Sequence, residues 1–89
     1  MIVESEKDFM NLRMYISTWY VKFPLFKHDI LEIEQIIEER IKQYSIAMVY
    51  YRQSHKQNYL DQANEQIGHM NRIISIADKM VLMALLSKA

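Results

Sequence analysis

Apolar residues recur at alternating steps of three and four along three separate segments of the chain. That spacing places side chains on one face of an α-helix. The three predicted buried faces are Phe9, Leu12, Ile16, Trp19 and Phe23; Ile30, Ile33, Ile37, Ile41, Tyr44, Met48 and Tyr51; and Leu60, Ala63, Ile67, Met70, Ile74, Ala77 and Val81. We therefore predict an all-α fold, an antiparallel up-and-down bundle of three long helices. The helices are expected at about residues 6–22, 29–53 and 59–86, within a single domain that spans residues 1–89.

Residues that favour helix ends lie at the borders of these segments. Ser5 is a predicted N-cap, with Asp8 three residues later to accept hydrogen bonds from the preceding backbone. Pro24 should end the first helix, because the residue before a proline is disfavoured in the helical conformation. Asp29 suits the start of the second helix, and the polar segment 54–58 should connect the second helix to the third. One Gly and one Pro in the whole chain leave little turn material for a sheet.

The segment 80–86 is apolar on every side of the predicted third helix. A helix of that kind must be buried on every side. Trp19, Tyr20 and Phe23 should cover part of it, because in an up-down-up bundle the first and third helices end together. The rest requires either a further helix that is lost or not included in this chain, or another subunit, and we expect a homo-oligomer. The predicted interface consists of Met80, Leu82, Met83, Leu85 and Leu86.

The same run of seven apolar residues is the longest in the chain, far below the roughly 18 that a transmembrane helix requires. Glu4 and Glu6 put acidic charge where a signal peptide carries basic charge. Cysteine is absent, which favours a reducing compartment. We therefore expect a cytoplasmic protein that has no contact with a membrane.

No constellation of residues in the sequence points to catalysis, a metal or a cofactor, so we do not expect an enzyme. His28, His55 and His69 lack the spacing of zinc ligands. Neighbouring glutamates such as Glu34 and Glu38 are typical of a solvated helix face. Gly68 stands alone and cannot form a phosphate-binding loop. Its position inside a helix indicates one of two things: another helix approaches closely there, or the chain tolerates the cost of the substitution.

Charge is distributed unevenly although the net charge is zero. Residues 1–39 carry eight acids and four bases, whereas residues 40–89 carry three acids and seven bases. Tyr50, with Arg52, His55, Lys56 and Arg72, could form an aromatic and basic patch for nucleic acid. Because the acids offset the bases overall, we expect any such binding to be weak. The candidate nucleic-acid contacts are Arg40, Lys42, Arg52, Lys56, Arg72 and Lys79.

Short motifs in all three predicted helices resemble a known family. They are Lys22-Phe23-Pro24 at the end of the first helix, Tyr50-Tyr51-Arg52 at the end of the second, and in the third Leu60, Ala63, Asn64 and Arg72, followed by Ala77-Asp78-Lys79. Together they resemble the accessory variability determinant of diversity-generating retroelements, a group of small four-helix-bundle proteins. The four-helix proteins encoded in ribosomal RNA intervening sequences share the same plan.

The resemblance implies a non-enzymatic partner of a reverse transcriptase. Members of that family resemble one another in forming a pentamer with a basic surface, which engages the reverse transcriptase and nucleic acid during mutagenic retrohoming. This chain departs from the family in its balanced charge and in ending before the fourth helix. The alternative, which the intervening-sequence proteins represent, is a structural self-association module that has no nucleic-acid partner.

Overall fold

A computed structural model describes residues 1–87, except for the side chains at positions 82 and 84–87. Over these residues the chain forms three α-helices and no strand, which confirms the all-α prediction. The helices are α1 (Phe9–Lys22), α2 (Lys27–Ser54) and α3 (Gln57–Ser87), with short 3-10 turns at Glu6–Asp8 and Pro24–Phe26. None of these helices combines the length and the apolar character needed to span a bilayer. The four-helix arrangement of the family stays a prediction.

The capping predicted from Ser5 and Asp8 forms at the 3-10 turn Glu6–Asp8, which precedes α1, and Pro24 follows the end of α1 as predicted. The Asp8 carboxylate accepts hydrogen bonds from the backbone N–H groups of Glu4 at 2.8 Å and Ser5 at 3.3 Å. At the other end, Phe23 leaves the helical conformation with φ −133° and ψ 64°, immediately before Pro24. The backbone N–H of Phe23 still donates to the carbonyl oxygen of Trp19 at 2.8 Å.

The connection between α2 and α3 is shorter than predicted. Only His55 and Lys56 lie outside the two helices, because α2 continues to Ser54 and α3 already begins at Gln57. His55 adopts a left-handed conformation, φ 55° and ψ 23°, and its N–H donates to the carbonyl oxygen of Tyr51 at 2.7 Å. This left-handed cap ends the helix and reverses the chain within two residues.

Neighbouring helices run in opposite directions. Arg13 near the middle of α1 pairs with Glu38 of α2, and Tyr20 near its end reaches Glu34, nearer the start of α2. Because α1 has 14 residues and α2 has 28, α1 spans about 21 Å beside a helix of about 42 Å. The molecule, 53 Å long and 18 Å wide, therefore has a three-helix half and a part in which α2 and α3 extend alone. We call residues 48–62 the hairpin tip.

The core is centred on the three-helix half. Leu12, Ile16, Ile37, Met70 and Ile74 are at most 1% exposed, and Trp19, predicted to be buried, is 3% exposed. Five residues of the predicted stripes are only half-buried, and they lie toward the ends of the long helices, where fewer neighbours cover them: Ile33, Met48, Tyr51, Leu60 and Val81.

The close helix approach predicted at Gly68 is wrong. A methyl group at this position would meet no atom of a neighbouring helix within 4 Å. The glycine is half-buried, but the space beside it is open, so no packing constraint requires it.

Candidate functional site

The six predicted basic contacts do not form one surface. Arg52 and Lys56 lie at the hairpin tip, and Arg40 and Lys42 lie near the middle of α2. Arg72 lies at the middle of α3, and Lys79 lies two turns further along it. Sixteen residues separate Lys56 from Arg72, which corresponds to about 24 Å along the helix. The predicted aromatic and basic patch is therefore wrong in one respect: Arg72 does not join Tyr50, Arg52, His55 and Lys56.

Three of these basic residues make polar contacts within the chain. Arg40 donates from Nη1 to Oε1 of Gln66 at 3.1 Å and is half-buried. Arg72 contacts Nδ1 of His69 at 2.9 Å. Arg52 lies 3.9 Å from the Glu6 carboxylate, a distance at which exposed ion pairs contribute little to stability. Lys42, Lys56, Arg72 and Lys79 all have exposed side chains.

The hairpin tip brings aromatic rings and cations together. The Tyr50 and Tyr59 rings stack with centroids 5.3 Å apart and planes inclined by 23°. Tyr51 meets the His55 ring edge-on at 6.2 Å. Tyr50 is 51% exposed, and Arg52 and Lys56 are exposed at the same end of the hairpin. Exposed rings next to cations can stack on nucleic-acid bases or on the guanidinium groups of a protein partner.

The predicted oligomer interface falls partly outside the described side chains. Met80 is 51% exposed and Met83 is 68% exposed, so both are accessible to a partner. Leu82, Leu85 and Leu86 lie outside the side chains that the structure describes. The interface at 80–86 therefore stays a prediction.

A small apolar cavity lies at the end of the three-helix half. Trp19 and Phe23 line it together with Met80 and Val81, as predicted, whereas Tyr20, which was also predicted to cover this end of the third helix, is not among the described residues that line it. Among the lining residues that the structure describes, Asp29 is the one that carries a charge. The volume of about 60 Å³ is well below the roughly 150 Å³ of a cavity that binds benzene. The cavity thus has room for an inserted side chain at most.

Among the described residues, His, Asp and Glu side chains do not gather in groups of three that could hold a metal ion. His28 lies at the start of α2, His55 at the hairpin tip, and His69 beside Glu65 on α3 at 3.6 Å. The pKa of Glu38 is lowered by its hydrogen bonds from Arg13, at 2.7 and 3.0 Å. A lowered carboxyl pKa of this kind is typical of a surface ion pair, with Arg13 and Glu38 both about half exposed.

Two polar contacts to α3 were not predicted from the sequence. One comes from the N-terminal segment before α1, and the other comes from α1 itself. The Asn71 amide clamps the backbone of Val3: its Oδ1 accepts from the Val3 N–H at 2.7 Å, and its Nδ2 donates to the Val3 carbonyl oxygen at 2.8 Å. Tyr15 donates its hydroxyl to Oδ1 of Asp78 at 2.5 Å, and this bond raises the pKa of Tyr15. Asn71 and Asp78 directly follow the buried Met70 and Ala77. A polar residue next to a buried position lies at the edge of the core, and this is the sequence signal that could have predicted both contacts.

Comparison with protein-family models, with curated proteins and with solved structures gives no match. The family resemblance thus depends on the short motifs alone. Within those motifs Phe23 and Ala63 are buried, and Pro24 ends a helix, so these three serve the fold. The motifs also contain exposed residues that are available for contact with a partner: Lys22, Tyr50, Arg52, Asn64, Arg72 and Lys79.

Proposed function

We propose that the protein is a non-enzymatic accessory factor of a diversity-generating retroelement that scaffolds the reverse transcriptase. The hairpin tip is the proposed contact surface for the enzyme. The observation that carries this assignment is the grouping of exposed Tyr50, Arg52 and Lys56 at the end of a two-helix projection. The partner's identity comes from the family resemblance. The number of subunits in the assembly does not enter the proposal.

The composition of the hairpin tip suits a protein partner. Tyrosine and arginine are enriched among the residues that dominate binding energy at protein interfaces. Tyr50 is already held by its stack on Tyr59, so its ring loses little side-chain freedom on binding. Arg52 is tied only by the long 3.9 Å contact with Glu6, which leaves its guanidinium free to exchange partners.

A retroelement RNA or DNA is the second proposed contact, through phosphates. Arg72 and Lys79 lie seven residues apart on one face of α3, and both are exposed. Arg40 and Lys42 extend the basic character along α2. Contacts of lysine and arginine with phosphates are electrostatic and independent of sequence, and they weaken steeply as salt is added. The balanced charge of the chain predicts weak binding, in the micromolar range or poorer.

Co-purification of the chain with the reverse transcriptase of the same retroelement tests the scaffold role. A variant with Arg52→Glu and Lys56→Glu should lose the enzyme. A matched variant with Lys22→Glu and Lys27→Glu makes the same change of charge at two exposed positions elsewhere, and it should retain the enzyme. Equal retention by both variants would move the contact away from the hairpin tip, and no capture by the unchanged chain would refute the proposal.

A salt titration of binding to retroelement RNA tests the second contact. Binding should weaken with salt, and Arg72→Glu with Lys79→Glu should reduce it further and flatten the salt dependence. No binding even at low salt, together with normal capture of the reverse transcriptase, would leave a scaffold without a nucleic-acid role. A chain that associates only with itself would instead support the structural alternative.

A further inference from the structure

The side of α2 that faces away from α1 carries an exposed isoleucine. Glu34 and Glu38 of α2 reach α1, where Tyr20 and Arg13 donate hydrogen bonds to them. Ile36 lies two residues from each of these glutamates, and residues two apart on an α-helix point in directions about 200° apart. Ile36 therefore lies on the opposite side of α2, and its side chain is 48% exposed.

The side of α3 that faces away from α1 is apolar as well. Asp78 of α3 accepts the hydrogen bond from Tyr15 of α1. Ile76 lies two residues before Asp78 and Met80 lies two residues after it, so both side chains point away from α1. Ile76 is 60% exposed and Met80 is 51% exposed.

The pairing of α2 with α3 joins these residues into one groove. Arg40 contacts Gln66, and Ile33 lines the apolar cavity together with Ala77. With this antiparallel register Ile36 lies level with residues 70–74 of α3. Contiguous exposed apolar surface of this kind marks an interaction site. We call the following residues the outer groove: Ile33, Ile36, Ile73, Ile76 and Met80. The cavity adjoins one end of the groove, because Ile33 and Met80 line both.

Helix α1 carries exposed apolar residues on the side that faces away from the core. Met10 is 71% exposed, Met14 61% and Val21 84%. With the small Ser17 included, they follow one another at steps of four, three and four residues, the spacing of a helix-packing seam. We call these four residues the outer face of α1.

We propose that the outer face of α1 of one copy of this chain packs into the outer groove of a second copy. Met14 and Val21 lie seven residues apart, and so do Ile73 and Met80. Seven residues are two turns, so each pair lies on one side of its helix. The two pairs therefore fit in register, with Met14 on Ile73 and with Val21 on Met80 beside the cavity.

The sizes of the facing side chains also match in this register. Ser17 lies opposite the larger Ile76 and leaves room for it. The Ser17 hydroxyl already donates to the carbonyl oxygen of Met14 at 2.6 Å, so the donor keeps its partner when water leaves the interface. Val21 faces the cavity of about 60 Å³, which has room for an inserted side chain.

Charge favours one direction of the neighbour's helix. Helix α1 contains no acidic residue, and Lys22 directly follows Val21. Asp29 lines the cavity and Glu32 lies about one turn further along α2, and both are exposed. When α1 lies parallel to α3 of the second copy, Lys22 comes close to these two carboxylates. The reverse direction would bring Lys22 toward Arg40 instead, so the parallel arrangement is favoured.

Two copies joined in this way point in the same direction. Within one chain α1 is also parallel to α3, because each of them runs antiparallel to α2. The contact uses a different surface on each copy and is therefore head-to-tail, the type that closes into rings. A ring is compatible with the pentamer that the family resemblance implies. Met80, a residue of the predicted oligomer interface, is covered by α1 of the neighbour.

A mixing experiment with the full chain, followed by sedimentation, tests the head-to-tail contact. Met14→Glu with Val21→Glu disrupts the outer face of α1, and Ile76→Glu with Met80→Glu disrupts the outer groove. The unchanged chain should sediment above its single-chain mass of 10.7 kDa in the micromolar range, and each variant alone should sediment as one chain. An equimolar mixture of the two variants should form a dimer and nothing larger, because one intact face and one intact groove remain.

Matched controls accompany the two variants, and circular dichroism checks that each keeps its helical content. Ile46→Glu with Val49→Glu changes two exposed apolar residues of α2 outside the groove and should leave the assembly intact. Glu32→Lys changes no apolar residue and should weaken the association about tenfold. Asp61→Lys makes the same change of charge at the hairpin tip and should leave the association unchanged.

Single cysteines test the register, because the natural chain has none. A mixture of Val21→Cys and Met80→Cys chains should form an intermolecular disulfide under mild oxidation. Val21→Cys alone should not, since two copies of this residue do not meet in a head-to-tail contact. The cysteine mixture and Glu32→Lys decide the question even where the groove variant fails to fold.

Four results would overturn the proposal. They are a monomer throughout the concentration range, an assembly that Met14→Glu with Val21→Glu leaves unchanged, a mixture of the two folded variants that stays monomeric, and cross-linking by Val21→Cys alone. Capture of the reverse transcriptase is measured on the same variants, in which the hairpin tip is unchanged. Loss of the assembly with normal capture separates this proposal from the one for the hairpin tip.

Discussion

The three-helix half and the hairpin tip are built from the same two long helices, yet they differ in burial. In the three-helix half, α1 closes the groove between α2 and α3, and side chains such as Leu12, Ile37 and Met70 lose almost all contact with water. In the hairpin tip, from residue 48 to residue 62, no side chain is fully buried. A pair of helices alone does not form a water-free core here, and the third helix makes the difference.

Different interactions hold the two regions together. The three-helix half depends on close apolar packing, supported by hydrogen bonds from the N-terminal region to Asn71 and Asp78. The hairpin tip depends on aromatic contacts, chiefly the stack of Tyr50 on Tyr59, and on the left-handed cap at His55. Stability should therefore reside in one region, while the exposed rings and cations available to a partner lie in the other.

The same leucine-to-alanine change in the two regions gives the largest expected contrast. Leu12→Ala should lower the free energy of unfolding by about 3–5 kcal/mol, because the side chain is 0% exposed and leaves a cavity. Leu60→Ala should cost about 1 kcal/mol, since that side chain is only half-buried. Urea denaturation followed by circular dichroism measures both. Equal costs would mean that the hairpin tip is as well packed as the rest.

A smaller effect is expected from Tyr15→Phe, which removes the hydrogen bond that ties α1 to Asp78 of α3. We expect a loss of about 1 kcal/mol near neutral pH. The hydrogen bond to Asp78, then burial, raises the pKa of Tyr15 above its usual value of 10.0. The folded state therefore favours the protonated phenol, and this contribution is complete below pH 10 and is lost as the pH rises through the raised pKa.

The melting temperatures of both proteins, compared from neutral pH to about pH 11, test this dependence. The advantage of the natural chain over Tyr15→Phe should shrink above pH 10. Tyr20 and Tyr44, whose pKa values are also raised, are present in both proteins and cancel in the comparison. A constant difference across the range would exclude titration of Tyr15 as its source.

The smallest expected effect is a gain of stability at the hairpin tip. His55 has a positive φ of 55°, a conformation that glycine adopts without steric cost. His55→Gly should raise the free energy of unfolding by about 0.5 kcal/mol, the relief of strain being partly offset by the lost contact with Tyr51. Lys56→Gly is the control and should destabilise the chain. A loss of stability in His55→Gly would mean that the ring contact outweighs the strain.

Much of the fold could be predicted from single residues and their spacing. The stripe through Leu12, Ile16 and Trp19 is buried as predicted, and Pro24 ends the first helix. The prediction of the connection was less accurate, because Ser54 and Gln57 are polar residues that a helix end accommodates as easily as a loop does. The left-handed cap at His55 was not predicted, because the residue is not glycine, which usually adopts this conformation at a helix end.

The candidate surfaces were harder to predict, because each depends on which residues the fold brings together. Arg52 and Lys56 both lie at the hairpin tip, but sequence spacing could not show that α2 ends between them or that Arg72 lies too far along α3 to join them. Similarly, the sequence could not show whether another helix approaches Gly68, because that depends on where the neighbouring helices pass.

The sequence by itself determined the three helices and the face that each one buries, because the period of the α-helix fixes which side chains share a face. Only the tertiary structure decided how far α1 reaches along its neighbours, and therefore which stripe residues are buried and which are half-exposed at the hairpin tip. It also decided that Met10, Met14 and Val21 of α1 stay exposed. The physical reason is that burial depends on neighbours distant in the chain, and helical periodicity carries no information about them.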